Sequence, residues 1–266
     1  MRLPVLAGAI ILTFAPAVAI AATPERMVRF QDVAFRYDST LATGVDARIV
    51  PAVPLAEPSD VPDGVGPEHI LFTFRDAEGA ADSRQRDAGT LRVYPVSAYE
   101  AIWPPAKETI DALKDLLATR RSEGDEEIPF LPWADVAQPF RSHVEFVEFQ
   151  NGAGIGFVTA YAIEPSPVTN RVLEYTFQGL TADGTAYVSL SFPIATAILK
   201  DEERVDDWEA FTREYDAYVS DQARRLDDLP PHAFVPGLDR IDAMIRSLCV
   251  KQPSCLDAEA PKIDAR

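Results

Sequence analysis

The sequence predicts an α+β fold, an antiparallel β-sheet covered by helices in the manner of an α/β sandwich, on three observations. From Ser142 to Phe192, apolar residues recur at every second position in four stretches, the period of strands that bury one face. The links between those stretches carry turn residues, Asn151-Gly152, Pro165-Ser166-Pro167 and Asp183-Gly184, so consecutive strands fold back on one another. Two stretches at helical spacing then follow. Trp208, Phe211, Tyr215, Tyr218 and Val219 form one stripe and Leu238, Ile241, Ile245 and Leu248 another, suited to cover the sheet.

Ahead of that meander, "MVRFQDVAFRYD" alternates twice around a break at Gln31-Asp32 and reads as strand. "VDARIVPAVP" is a further extended piece that enters a Pro-rich loop at 51–67. "HILFTF" sets Ile70, Phe72 and Phe74 on one face, and "TLRVYP" is another short strand beyond a polar loop. In "AKETIDALKDLLATRR" the apolar residues Ile110, Leu113, Leu116 and Leu117 share a helical stripe, with Pro104 and Pro105 at the first turn. "SEGDEEIPFLPWADVAQPF" is too rich in proline and acid to extend that helix. It reads as an ordered loop that buries Phe130, Leu131, Trp133 and Phe140.

The first residues, "MRLPVLAGAIILTFAPAVAIAA", combine Arg2, an apolar stretch interrupted by Pro16, and the small-residue site Ala19-Ile20-Ala21. This is the pattern of a secretory signal peptide over residues 1–21, not of a membrane span. Residues 22–266 are then a single α+β domain with a C-terminal tail, since no shift in composition marks a boundary. A periplasmic or extracellular location follows, with no membrane insertion after cleavage.

The chain carries 42 acidic against 25 basic residues, a formal net charge of −17, and removal of the signal takes away Arg2 and no acid. Nucleic acid and anionic membrane are therefore poor partners, and none of either is expected. The acids are scattered, and the clusters at 125–127 and 201–207 lack the ligand spacing of a calcium loop. Cys249 and Cys255 lie close together, and in an oxidising compartment they are expected to close the ring "CVKQPSC", stabilising the chain by about 2 kcal/mol. A redox pair prefers two intervening residues, and two thiols alone make a poor zinc site.

Motifs for chemistry are few. "NGAGIGF" mimics a nucleotide loop, but strands stand on both sides of it, where phosphate binding requires a helix N-terminus. There is no Gly-x-Ser-x-Gly elbow. His69, His143 and His232 fall in unrelated contexts, with no metal-ligand spacing. Glu145, Glu148 and Glu174 read as solvated strand residues. No catalytic residue, cofactor or metal is assigned. The candidate binding residues are Trp133, whose ring suits stacking on a sugar, and Gln178, Thr181 and Asp183 at the tip of the last hairpin, where turn formation alone accounts for Asp183-Gly184.

Through "FQNGAGIGFVTAYA", "NRVLEYTFQGLTADGTAYVSLSFPI" and "LDRIDAMIRSL", with "GTLRVYPVSAY" as another recurring piece, the chain resembles a family of uncharacterised bacterial secreted proteins and lipoproteins. Gly156 stands where that family has a basic residue, and Ala186 where an aromatic is usual. The order of elements also resembles the Mog1/PsbP-like α/β sandwich, which implies a role in assembly or partner binding without catalysis. The expected function is an exported binding or assembly module of the cell envelope, with an envelope protein or small ligand as partner. The alternative is a carboxylate hydrolase acting on glycans or peptides.

Overall fold

The computed structural model describes residues 25–55, 64–75, 89–121 and 127–252. The expected signal segment at 1–21 and Cys255 lie outside the described residues. The chain opens with β1 (Glu25–Phe30) and β2 (Val33–Asp38), an antiparallel hairpin that turns at Gln31-Asp32. Then come β3 (Gly44–Val50), β4 (His69–Arg75) and β5 (Thr90–Pro95), followed by helices α1 (Val96–Ile102) and α2 (Ala106–Thr119). The meander is β6 (Ser142–Phe149), β7 (Gly152–Thr159), β8 (Glu174–Thr181) and β9 (Ala186–Pro193), with β10 (Ala195–Thr196) behind it. After these stand α3 (Trp208–Arg213), α4 (Tyr215–Asp227), a 3-10 turn at Pro231–Ala233, β11 (Phe234–Val235), α5 (Leu238–Ser247) and β12 (Cys249–Val250).

Seven of the strands form one antiparallel sheet in the order β3-β4-β5-β9-β8-β7-β6, and β1-β2-β12 make a second, three-stranded sheet. The fold is thus α+β with antiparallel sheets, as the alternation and turn residues predict. Alternate side chains of the large sheet enter two separate cores. On one face Phe72, Phe74, Leu91, Val188, Leu190, Phe192 and Phe177 pack against Phe30 and Phe35 of the hairpin and Ile241, Met244 and Ile245 of α5. On the other, Ile155, Phe157, Leu180, Tyr187 and Tyr94 meet Tyr99 of α1, Ile110 and Leu113 of α2, and Ile128 and Leu131 of the segment that follows.

This second core departs from the expectation of a sheet with one buried face. The strands β7 to β9 are sealed on both sides, because α1, α2 and residues 127–140 cover the face that strand alternation assigns to solvent. Two helical expectations also change. α1 is an additional helix, too short to show a period in the sequence. The stretch from Trp208 is two helices, broken at Glu214 (φ −103°, ψ 8°). Of its expected stripe, Val219 is buried while Trp208 remains 54% exposed. α5 buries Leu238, Ile241 and Ile245, as its pattern predicts.

Cys249 is buried in β12, opposite Ala34 of β2, and is not a free thiol. No helix among the described residues is long and apolar enough to cross a membrane.

Candidate functional site

The residues of the candidate set part company in the structure. Thr181 and Asp183 sit at the β8–β9 tip and hold the turn. Asp183 Oδ1 accepts from Thr181 Oγ1 (2.6 Å), Thr185 N (3.0 Å) and Thr185 Oγ1 (2.9 Å). Thr181 Oγ1 in turn accepts from Ala186 N at 3.0 Å. The hydroxyl of Thr181, then the amide and hydroxyl of Thr185, hold the Asp183 carboxyl below the usual carboxylate range. Gly184 supplies the left-handed φ of +68° that the turn requires. Every polar atom named here is engaged within the hairpin, so the tip is a capped turn.

Gln178 is placed differently from the expectation that it ends its strand. It lies in the interior of β8, 2% exposed, and faces the second core. Its Oε1 accepts from Tyr187 OH (2.7 Å) and Leu131 N (3.3 Å). Its Nε2 donates to Thr176 Oγ1 (3.1 Å) and Ser189 Oγ (3.4 Å). Burial removes water from the Tyr187 phenol and pushes its pKa well up, so it remains a neutral donor.

The register explains why these groups meet. Gln178 opposes Ser189, which opposes Arg92 of β5, and one pleat along Thr176 opposes Ser191, which opposes Thr90. Two adjacent cross-strand rows of polar side chains therefore run across β8, β9 and β5 on the face covered by residues 127–140. Arg92 Nη1 donates to Thr90 Oγ1 at 2.7 Å. Glu174 accepts from Ser191 Oγ and is half-buried on this face, rather than solvated.

The cover carries the aromatic residues. Phe130 packs on Tyr161 with ring centroids 4.9 Å apart, and Trp133 lies 6.2 Å from Trp103, next to α1. Desolvation pushes the Tyr99 phenol up to about 12, against the opposing effect of the Trp133 backbone nearby. Gln138 closes the segment on itself: its Nε2 donates to Ile128 O (2.7 Å), and its Oε1 accepts from Ile128 N (3.1 Å). Trp133 and Gln178 thus belong to one place, joined through the amide of Leu131, while Thr181 and Asp183 belong to another.

One residue of this place was not among the candidates. The hydroxyl of Tyr161 is buried and has no hydrogen-bond partner among the described residues. Thr176 lies near enough to favour the ionised phenol, but not in hydrogen-bond geometry. Burial raises its pKa, with Glu174 and then Glu127 adding to the effect. A buried phenol without a partner is uncommon, because it forgoes water and receives nothing in exchange. The signal for the site lay in the alternation itself. Thr176 and Gln178 on β8, and Ser189 and Ser191 on β9, are polar at successive same-face positions.

The three histidines stay apart. His69 Nδ1 bonds Pro67 O (2.9 Å) at the start of β4, His143 Nε2 bonds Leu226 O (2.8 Å), and His232 is exposed on the 3-10 turn. Gly156 also has a physical reason. A Cβ there would collide with the Tyr175 hydroxyl, so this strand position has no room for a side chain.

No protein-family model matches the chain, and neither does any curated protein.

Proposed function

We propose that this chain is an exported, non-catalytic binding module of the bacterial cell envelope, and that it takes a small polar ligand between the polar rows of β8, β9 and β5 and the aromatic segment 127–140. One observation carries the reading: the Tyr161 hydroxyl is buried beside the Gln178 network and lacks a partner among the described residues. A ligand hydroxyl or carbonyl entering beneath Phe130 would satisfy it, with Trp133 and Phe130 as apolar walls. The signal-like N-terminal sequence supports export, and the resemblance to secreted proteins and lipoproteins supports the envelope.

The test is a screen of the mature protein by NMR against soluble cell-wall fragments, glycan oligomers and stem peptides separately. Binding is expected to shift resonances of 128–133 and of Tyr161, Thr176, Gln178 and Ser189, and Tyr161→Phe is expected to weaken it about tenfold, the value of one hydrogen bond. A binder that moves only other parts of the molecule overturns the placement. The competing reading, a carboxylate hydrolase, draws on Glu174 and Glu127 both acting electrostatically on Tyr161. Turnover in the same mixtures, abolished by Glu174→Gln, would replace the non-catalytic reading.

A further inference from the structure

α3 buries none of its residues, although it contains Trp208 and Phe211. Its rings continue as a ladder into α4. Trp208 meets Phe211 edge-on at 5.7 Å, and Phe211 meets Tyr215 at 5.6 Å and Tyr218 at 5.2 Å. The lower rungs are anchored, since the Tyr218 hydroxyl accepts from Val168 N at 2.9 Å and Val219 is buried. The upper end is held outward rather than frayed, because Asp207 caps α3 by accepting from Ala210 N at 3.0 Å. An indole fixed in water by a capped helix is apolar surface of the kind that interfaces cover.

The charge around the ladder is one-sided. From Lys200 to Asp216 the sequence has eight acids against Lys200, Arg204 and Arg213. Glu202, Glu203 and Asp206 are paired with Arg171, Lys200 and Arg204. Glu209, Glu214 and Asp216 alternate with the rings and appear in no ion pair among the described residues. Exposed ring faces attract guanidinium and ammonium groups, and carboxylates beside them add a second attraction for the same groups.

We propose that α3 and the first turn of α4 form a docking surface for a basic segment of a partner protein, whose arginine or lysine side chains lie over Trp208 and Phe211 and pair with Glu209, Glu214 and Asp216. The surface is separate from the polar rows of the large sheet and stands whether or not a ligand binds there.

The experiment uses the mature protein and a fluorescein-labelled peptide of Arg-Ala repeats, read by anisotropy at low salt. Trp208→Leu keeps the apolar bulk but removes the ring face, and is expected to weaken binding about tenfold. The triple change Glu209→Gln, Glu214→Gln and Asp216→Asn is expected to do the same. Removing equal charge from α1 and α2, through Glu100→Gln, Glu108→Gln and Asp115→Asn, is expected to change binding less than about twofold. Circular dichroism melts confirm that each variant is folded. Equal weakening by the control set, or wild-type binding by Trp208→Leu, overturns the proposal in favour of general charge attraction. Self-association lost in Trp208→Leu, or binding to zwitterionic lipid vesicles, overturns it in favour of a second copy or a lipid surface.

Discussion

Tyr187 of β9 donates its phenol proton to Oε1 of Gln178 on β8 at 2.7 Å, and both side chains are sealed between the sheet and residues 127–140. The same oxygen receives the amide of Leu131 at 3.3 Å. This amide carbonyl is therefore the point at which the covering segment is tied to the strand beneath it. Gln178→Leu leaves two buried donors without an acceptor and is expected to destabilise the protein by about 2–4 kcal/mol. Tyr187→Phe removes one donor while the Leu131 amide keeps its acceptor, and is expected to lose only about 1 kcal/mol. Urea denaturation of both single variants and the double variant measures this. A double variant no worse than Gln178→Leu alone is the expected sign of coupling, and fully additive losses would show that the two groups act independently.

Gly156 and Tyr175 divide one space. The Tyr175 hydroxyl occupies the place where a Cβ at 156 would stand, and it donates to Asp242 Oδ1 of α5 at 2.6 Å. Gly156→Ala is expected to cost about 1–3 kcal/mol, because a sheet backbone packed on both faces has little room to retreat. Tyr175→Phe removes the obstructing oxygen, so the double variant should lose less than the sum of the single losses. Thermal melts of the three proteins test this, and simple additivity would count against the steric account.

How much of this was legible in the sequence depends on the range of the interaction. The alternation between Ser142 and Phe192 is enough to put Tyr175 and Phe177 of β8 on one face with Phe192 and Leu190 of β9, because register is a local property of paired strands. Thr176, Gln178, Ser189 and Ser191 were equally visible as polar positions, but alternation assigns such a face to solvent. What buries it is α2 and residues 127–140, elements remote in sequence whose contact with β8 no local pattern encodes. Trp208 is the converse case. A helical stripe of rings signals burial, yet here the chain breaks at Glu214 and leaves the first rings without a surface to cover. No local pattern marks Tyr161, because a hydroxyl without a partner is defined by neighbours distant in sequence.

The hairpin tip offers a contrast with Gln178, since the bonds of Asp183 are local. Among the described residues its carboxyl accepts from Thr181 and Thr185, and its pKa is held low by those donors. With a depressed pKa, its contribution is present above the ordinary carboxylate value of 3.8 and is lost as pH falls through the lowered folded value. Asp183→Ala is expected to loosen the turn while leaving the sheet in place. Hydrogen exchange should accelerate at residues 182–186 and stay unchanged at Gln178 and Ser189. Loss of protection spreading along β8 would show that the tip sets the register of the whole pair.

Asp242 titrates in the opposite direction. Burial raises its pKa, the Tyr175 hydroxyl opposes that rise, Glu145 adds to it, and Arg246 opposes it again. The folded protein therefore binds the Asp242 proton more tightly than the unfolded chain does. Its favourable contribution is complete below the unfolded value of 3.8 and disappears as pH rises through the higher folded value. Above that folded value the carboxylate is ionised against the resistance of its surroundings. Asp242→Asn keeps an oxygen to accept from Tyr175 and removes the buried charge. It is expected to match or exceed the wild type in urea denaturation at about pH 7, and to lose that advantage at about pH 3, where Asp242 is already neutral. A variant weaker than wild type at neutral pH and equal to it in acid would show instead that the ionised carboxylate strengthens its hydrogen bond with Tyr175 by more than its burial costs.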